Sequence, residues 1–455
     1  MNKLELLTKG QPDWHLALNK NAIEIDERHE LLTSFLPEHV IDDVPMAELQ
    51  NVIDGLGKFL NRNVTINVLP GTFSGELRIE GFCGGGGLTI VGATSTANAT
   101  PFMIERIYVG QCRNDKVEIN GFNINATTGN AVNVINTNMF AIHWCSITGG
   151  NNTASGNVGI NVTWSTVGIG GNSVISNKSV AINAVIAHVD ASTVSGTDNG
   201  ISYQARHSGT IAVRMSAVIT GNRFCLEEHT GRIILGANVT WQTTMPNLQN
   251  AVNGIPSDIG RFEFTIQASP GTFTGMITRT RVQGSGVLNI LGATSIASTH
   301  TITGASGGRM RFDFITTGVF LIAGFNLSTT SPATNTFSCI IAQCSALVLL
   351  RHMRVVNAVL PTVVTIAFGT WANAGNVLIE NTEVSRFNRC FQVSSGVLQV
   401  GGPGLPVIGT GNAAVYHVEQ VGTIIAHTVN TITGTTLRAV FHSGMVRTGA
   451  TLLPA

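Results

Sequence analysis

Ser146-Ile147-Thr148-Gly149, Val174-Ile175-Ser176-Asn177, Thr193-Val194-Ser195-Gly196 and Val218-Ile219-Thr220-Gly221 are four variants of one phrase. Their last residues lie 28, 19 and 25 positions apart. A single coil of a parallel β-helix takes roughly that many residues. In such a coil, Ile, Val, Leu and Ala point inward and stack on the coil above. Asn, Ser and Thr sit at the bends and hydrogen-bond along the stack. Propeller blades would repeat at roughly 40–50 residues, a period this chain does not show. The expected fold is therefore all-β, a parallel β-helix.

The same text is written twice. Pro70-Gly71-Thr72-Phe73 returns as Pro270-Gly271-Thr272-Phe273, and Gly92-Ala93-Thr94-Ser95 as Gly292-Ala293-Thr294-Ser295. Gly121-Phe122-Asn123-Ile124 returns as Gly324-Phe325-Asn326-Leu327. Asn199, Tyr203 and His229 find counterparts in Asn412, Tyr416 and His442. The offset grows along the chain, as expected if turns gained residues while strands kept their order. The duplication predicts a leader over 1–45, a first β-helix unit over 46–241 and a second over 242–455.

Composition agrees with strands and bends. Charged residues make up 11% of the chain and aromatics 6%, while glycine numbers 51. An ordinary domain carries roughly twice that charge. A narrow lumen filled by small branched side chains explains both deficits. Up to Asp54 the chain has 4 basic and 11 acidic residues, leaving 22 and 15 for the rest. A mildly basic body suits either an anionic polymer or a plain solvated surface. The leader lacks the Gly-rich pattern and predicts a helix from about Asn19 to Phe35, with Ile25, Leu32, Phe35 and Leu36 on one stripe. A second helical piece is expected over Met46 to Phe59, with Leu49, Val52, Ile53 and Leu56 facing inward. Met1 to Gly10 holds Lys3, Glu5 and Lys9 and reads as no secretory signal. No apolar run reaches a membrane span, so no membrane insertion is expected. Seven cysteines, none as Cys-x-x-Cys, predict buried free thiols, with no disulfide framework, metal or cofactor.

A helical leader, a strand ending at Pro70-Gly71-Thr72-Phe73, a glycine-rich bend, Leu88-Thr89-Ile90-Val91-Gly92 and the ladder of coils resemble the pectin-lyase-like right-handed β-helices of phage tailspikes and tail fibres. Lys9-Gly10-Gln11-Pro12-Asp13-Trp14, followed by Leu18-Asn19-Lys20-Asn21, is similar to the leader of tail-fibre and neck-appendage proteins. The β-helix resemblance covers nearly everything from about residue 50 onward. It implies a right-handed parallel β-helix, here duplicated in tandem behind a short α-helical N-terminal anchor. It also implies a homotrimer in the virion tail, assembled in the host cytoplasm. Pro12, Trp14, Leu18, Asn19 and Asn21 would dock onto a tail or baseplate protein. The implied role is attachment to the bacterial cell surface, through a surface glycan or a teichoic-acid-like polymer. The alternative is a glycan depolymerase, hydrolase or lyase, as some members of the family are. The chain departs from the longest spikes in having two β-helix units and in ending soon after Gly449-Ala450.

A depolymerase needs two carboxylates roughly 5–10 Å apart, or a base with a charge stabiliser. The catalytic candidates are Asp190 with Asp198, and Glu227 with Glu228 beside His229. None lies in a known motif, and each also reads as a solvated or arginine-paired acid. Tyr203/Tyr416 and His229/His442 read more simply as structural repeats. For binding, Arg279, Arg281, Arg309, Arg311, Arg351 and Arg354 are candidates. Residues two apart on a strand share a face, so these could form a basic stripe for phosphate or carboxylate. Salt bridges between subunits are the competing reading. Nucleic-acid binding is not expected, because the basic residues lack interleaved aromatics. Gly84-Gly85-Gly86-Gly87 leads into a strand without a following lysine and is no phosphate loop.

Overall fold

The computed structural model describes residues 38–214, 218–296, 299–303, 310–329, 336–357, 365–371, 375–428, 430–440, 443–448 and 451–452. The expected leader helix and the docking residues Pro12, Trp14, Leu18, Asn19 and Asn21 lie outside them. The protein is all-β: the described residues are mostly in strands and include two short α-helices, and the parallel sheets form a β-solenoid. Two compact units divide the chain. The first holds residues 1–150 and 159–174, the second 151–158 and 175–455. The excursion 151–158 joins the second unit because Asn157 reaches into it. Its carbonyl accepts from the Ser179 amide at 2.8 Å, and its side chain from Lys178 Nζ at 3.2 Å.

In the first unit, one face of the coil is a parallel ladder of Val64–Val68, Leu88–Val91, Val117–Asn120, Phe140–His143 and Thr166–Gly170. Alternation places every second side chain in the lumen. Ile66, Ile90, Ile119, Ile142 and Ile169 therefore stack directly on one another, at 0–1% exposure. Each such burial contributes about 1.5–3 kcal/mol. The solenoid already begins inside the expected leader: His39–Val44 pairs in parallel with Val64–Val68. Two other faces are joined by long bent strands. Phe102–Gly110 pairs with Asn123–Asn125 along its first half and with Asn130–Ile135 along its second.

Corners fix the residue type. Gly121 has φ 73°, and a Cβ there would stand 1.9 Å from the Ala93 carbonyl oxygen of the coil below. Gly324, its repeat, has φ 78° and the same 1.9 Å approach to Ala293. Only glycine fits such a site. Asn199 and Asn412 are a second repeated device. Asn199 Nδ2 donates to the Ile175 carbonyl at 2.9 Å while its Oδ1 accepts from the Lys178 amide at 3.1 Å. Asn412 does the same with the Val384 carbonyl at 3.2 Å and the Phe387 amide at 3.0 Å.

In the second unit the sheets end at Val218–Glu228 and Arg232–Leu235, and new ones start from Val239–Thr244. That restart coincides with the start of the second copy, whereas the compact units divide earlier in the chain. Phe264, Leu288, Phe320, Val348, Val377, Leu398 and Ile424 then form one stack. Each copy carries a short helix after its first strand: α1 at Leu49–Gly55 and α2 at Leu248–Asn253. α2 ends well before Pro256. In α1, Leu49 and Ile53 are buried, but Val52, and Leu56 just past its end, are half-exposed, unlike the expectation. The helix is one face narrower than its pattern suggested, because α1 packs on its own strand Gly71–Glu80 and its outer side is open.

The seven cysteines are free, and six of them are buried.

Candidate functional site

A cleft of about 400 Å³ lies where α1 meets the strand Gly71–Glu80, lined by Gln50, Asp54, Lys58, Glu76, Arg78 and Glu80. Gln50 locks the helix to the strand. Its Nε2 donates to the Arg78 carbonyl at 3.0 Å, and its Oε1 accepts from the Arg78 amide at 2.8 Å. Glu76, Arg78 and Glu80 alternate along the strand, so all three side chains leave on one face. Arg78 bridges its neighbours, with Nη1 2.7 Å from Glu76 Oε2 and Nη2 3.2 Å from Glu80 Oε2. The hydrogen bond that Arg78 donates to Glu80, with the charge of Glu76, raises the Arg78 pKa above its ordinary value. The guanidinium also lies over the Tyr108 ring, 4.3 Å from its centroid, and Lys58 Nζ lies over Phe82 at 4.4 Å. A single guanidinium bridges these two carboxylates and fills the space between them. The cleft is thus a mosaic of hydrogen-bond donors and acceptors suited to binding, with an arginine held where a glycosidase pair would keep substrate or water. The Glu-x-Arg-x-Glu alternation was its sequence signal. Gly71 and Gly75 obscure that strand in the sequence.

The candidate acids are placed apart in role. Asp190 receives a bidentate arginine, with Arg214 Nε 3.0 Å from both oxygens and Nη2 2.7 Å from Oδ2. Asp198 has φ 58° at a corner and accepts from the Thr197 hydroxyl at 3.2 Å. Glu227 and Glu228 are adjacent on a strand and point to opposite sides. Glu227 accepts from the amides of Ile233 at 2.7 Å and Ser257 at 2.9 Å. Glu228 pairs with Arg206 at 2.5 Å. His229 stacks on His207 with ring centroids 4.2 Å apart. Tyr203 packs edge-on against Phe224, and Tyr416 stacks on Phe391. Burial raises the pKa of both tyrosines, that of Tyr416 to about 12.

Most of the candidate arginines have protein partners. Arg351 holds Glu380 at 2.7 Å and Arg354 holds Glu383 at 3.0 Å, each from the register position one coil on. Arg311 holds Asp313 at 2.8 Å. Arg279 is half-buried and donates to the Ile255 carbonyl, and desolvation lowers its pKa. Arg281 is exposed, and its φ of 58° interrupts the strand alternation beyond Arg279. Arg309 lies outside the described residues.

Among the described residues no group of three or more His, Cys, Asp or Glu side chains could hold a metal ion. No helix among them is long and apolar enough to cross a membrane. No family model and no curated protein matches the chain.

Proposed function

We propose that this chain is a phage tail fibre or spike subunit that attaches the virion to the bacterial cell surface. It acts as a homotrimer, is held to the tail or baseplate through residues 1–45, and binds a surface glycan or teichoic-acid-like polymer. The observation that carries this reading is where the charge goes. Asp190, Asp313, Glu380 and Glu383 each hold an arginine on the same or the next coil, and Glu227 holds two backbone amides. Carboxylates engaged in this way brace a rigid stack and are poorly placed to transfer protons. A stiff ladder of polar bends presents many weak contacts at fixed spacing, which suits a repeating polymer.

The test is saturable binding of the purified full-length protein to a panel of bacterial strains and to their isolated surface polymers, with its mass measured by light scattering. Saturable binding by a trimer supports the reading. No binding to any strain, or a monomer, overturns it. Release of new reducing ends from a bound polymer would replace it with the depolymerase reading.

A further inference from the structure

Three coils of the second unit turn one corner through the left-handed region. The turning residues are Arg281 at φ 58°, Phe314 at φ 56° and Gln343 at φ 50°. They lie one above another. Thr280 pairs with Asp313 and Val282 with Ile315, on either side of the first two, and Asp313 pairs with Ala342 just before the last two. Adjacent coils are about 4.8 Å apart, so the three side chains leave the backbone within about 10 Å. All three residues are exposed, Phe314 by 45%, while Val282, Ile315 and Cys344, the next along the chain, are buried.

The first copy turns the same corner with other residues. By the repeats of Gly92 as Gly292 and Gly121 as Gly324, Arg281 corresponds to Gly81 and Phe314 to Gln111. Their φ angles are 75° and 54°. Asn136, at φ 50°, holds the rung of Gln343, since Ile107 pairs with Val132 as Met310 does with Cys339. Glycine and asparagine enter the left-handed region most readily. A bulky residue there is an outlier, and strain of this kind collects where ligands are held. The second copy thus places an arginine and an exposed ring where its twin turns the chain without either. Among the described residues Arg281 has no acidic partner, whereas Arg311, Arg351 and Arg354 of the same unit each hold one. Asp313, next to Phe314, is the acid that Arg311 occupies, at 2.8 Å.

We infer that Arg281, Phe314 and Gln343 form a subsite for one carboxylate-bearing pyranose, a uronic-acid unit of a glycan. The guanidinium takes the carboxylate through two parallel hydrogen bonds. The apolar face of the sugar ring lies on the phenyl ring. The Gln343 amide both donates and accepts, as sugar hydroxyls require. A polyol phosphate would satisfy Arg281 but offers Phe314 no ring face, and a neutral hexose would leave the guanidinium without its anion. The inference deepens the attachment reading and rests on it for the ligand being a surface polymer, and it selects the glycan over the teichoic-acid-like chain.

The full-length protein is titrated with hyaluronan oligosaccharides and with oligogalacturonate, followed by saturation-transfer NMR at about 0.15 M salt. Methyl-esterified oligogalacturonate supplies the rings without the charge, and poly(glycerol phosphate) the charge without the rings. Arg281→Gly and Phe314→Gln insert the residues of the first copy, so each variant makes a corner that this fold already contains. At least one acidic oligosaccharide should bind, with the ester and the polyol phosphate at least tenfold weaker. Each variant should bind it at least tenfold more weakly at an unchanged thermal midpoint. Arg113→Ser, which removes an exposed arginine of the first unit, should bind as the parent does. Binding of neither acidic oligosaccharide, or undiminished binding by either variant, overturns the inference. Equal weakening by Arg113→Ser also overturns it, by reducing the effect to net charge. Saturable attachment to bacterial strains that is identical in the parent and both variants would leave the attachment reading standing without this site. Failure to attach to any strain, with oligosaccharide binding lost in both variants, would do the reverse.

Discussion

At the scale of the residue, single side chains act on the coil above or below them. Removing the Asn199 amide leaves the Lys178 N–H and the Ile175 C=O buried without their partner. Unmade buried hydrogen bonds cost about 1–3 kcal/mol each. Asn199→Ala and Asn412→Ala are both expected to lower the denaturation midpoint by a similar amount, measured by urea titration, and a silent change at either would refute the shared role. Two histidines give a pH dependence. Burial lowers the pKa of His143, opposed by Glu118, and burial lowers that of His417, opposed by Glu419. The folded values lie below the unfolded value of about 6.5. As pH falls through about 6.5 the unfolded chain takes up protons first, so stability present above that value declines until the folded pKa is passed. Stability is expected to fall between pH 7.5 and 5, and His143→Asn with His417→Asn should flatten the curve. The thiols give a third test. Burial pushes Cys145 and Cys339 up to about 12 and Cys344 up to about 11. A thiol that stays protonated is unreactive, so native protein should lose one thiol, the half-exposed Cys83, to a maleimide at neutral pH, and all seven when unfolded.

At the scale of the element, corner geometry decides what a strand tolerates. Gly121→Ala or Gly324→Ala drives a Cβ onto a carbonyl oxygen at a positive φ, for roughly 2–4 kcal/mol of strain and overpacking. Either variant should unfold at lower temperature, and calorimetry with unchanged midpoints would show that the coils can slide apart. Strands with clean alternation were legible from sequence alone. Leu88–Val91 has the bounds that its residues predict. Gly71–Glu80 and Phe102–Gly110 were not legible, because each bends across two faces, and their pairing slips register between Phe73 and Glu76. The polar pair Glu105-Arg106 falls at that bend and breaks the alternation. The candidate acids were hidden for a related reason. Asp190 meets Arg214 and Glu227 meets Ser257, 24 and 30 residues onward. Coil length varies too much for such a partner to be counted off from sequence.

At the scale of the molecule, a solenoid is stabilised by nearest-neighbour contacts, so a weak joint between coils divides its cooperativity. Within the second unit the seam between the two copies is aromatic. Phe224 meets Tyr203 at 5.2 Å, Trp241 at 5.3 Å and Phe264 at 5.1 Å, all edge-on. Tyr203 and Phe224 lie in the coils that end at Arg232–Leu235, Trp241 and Phe264 in the sheet that starts from Val239–Thr244, and no sheet hydrogen bonds run from Arg232–Leu235 to Val239–Thr244. The aromatic cluster and the packing of Val218–Glu228 on α2 therefore replace ladder pairing as the coupling. Phe224→Ala is expected to cost about 3–5 kcal/mol. The loss falls on the interface, so unfolding should separate into two transitions, the first reported by fluorescence of the newly exposed Trp241. Phe391→Ala removes a comparable stack between Phe368 and Tyr416, inside the second copy. That variant should lower stability without uncoupling Trp241 from the coils before it. If the two variants behaved alike, the seam would be no different from any other step in the stack, and the duplication would have left one uninterrupted cooperative solenoid.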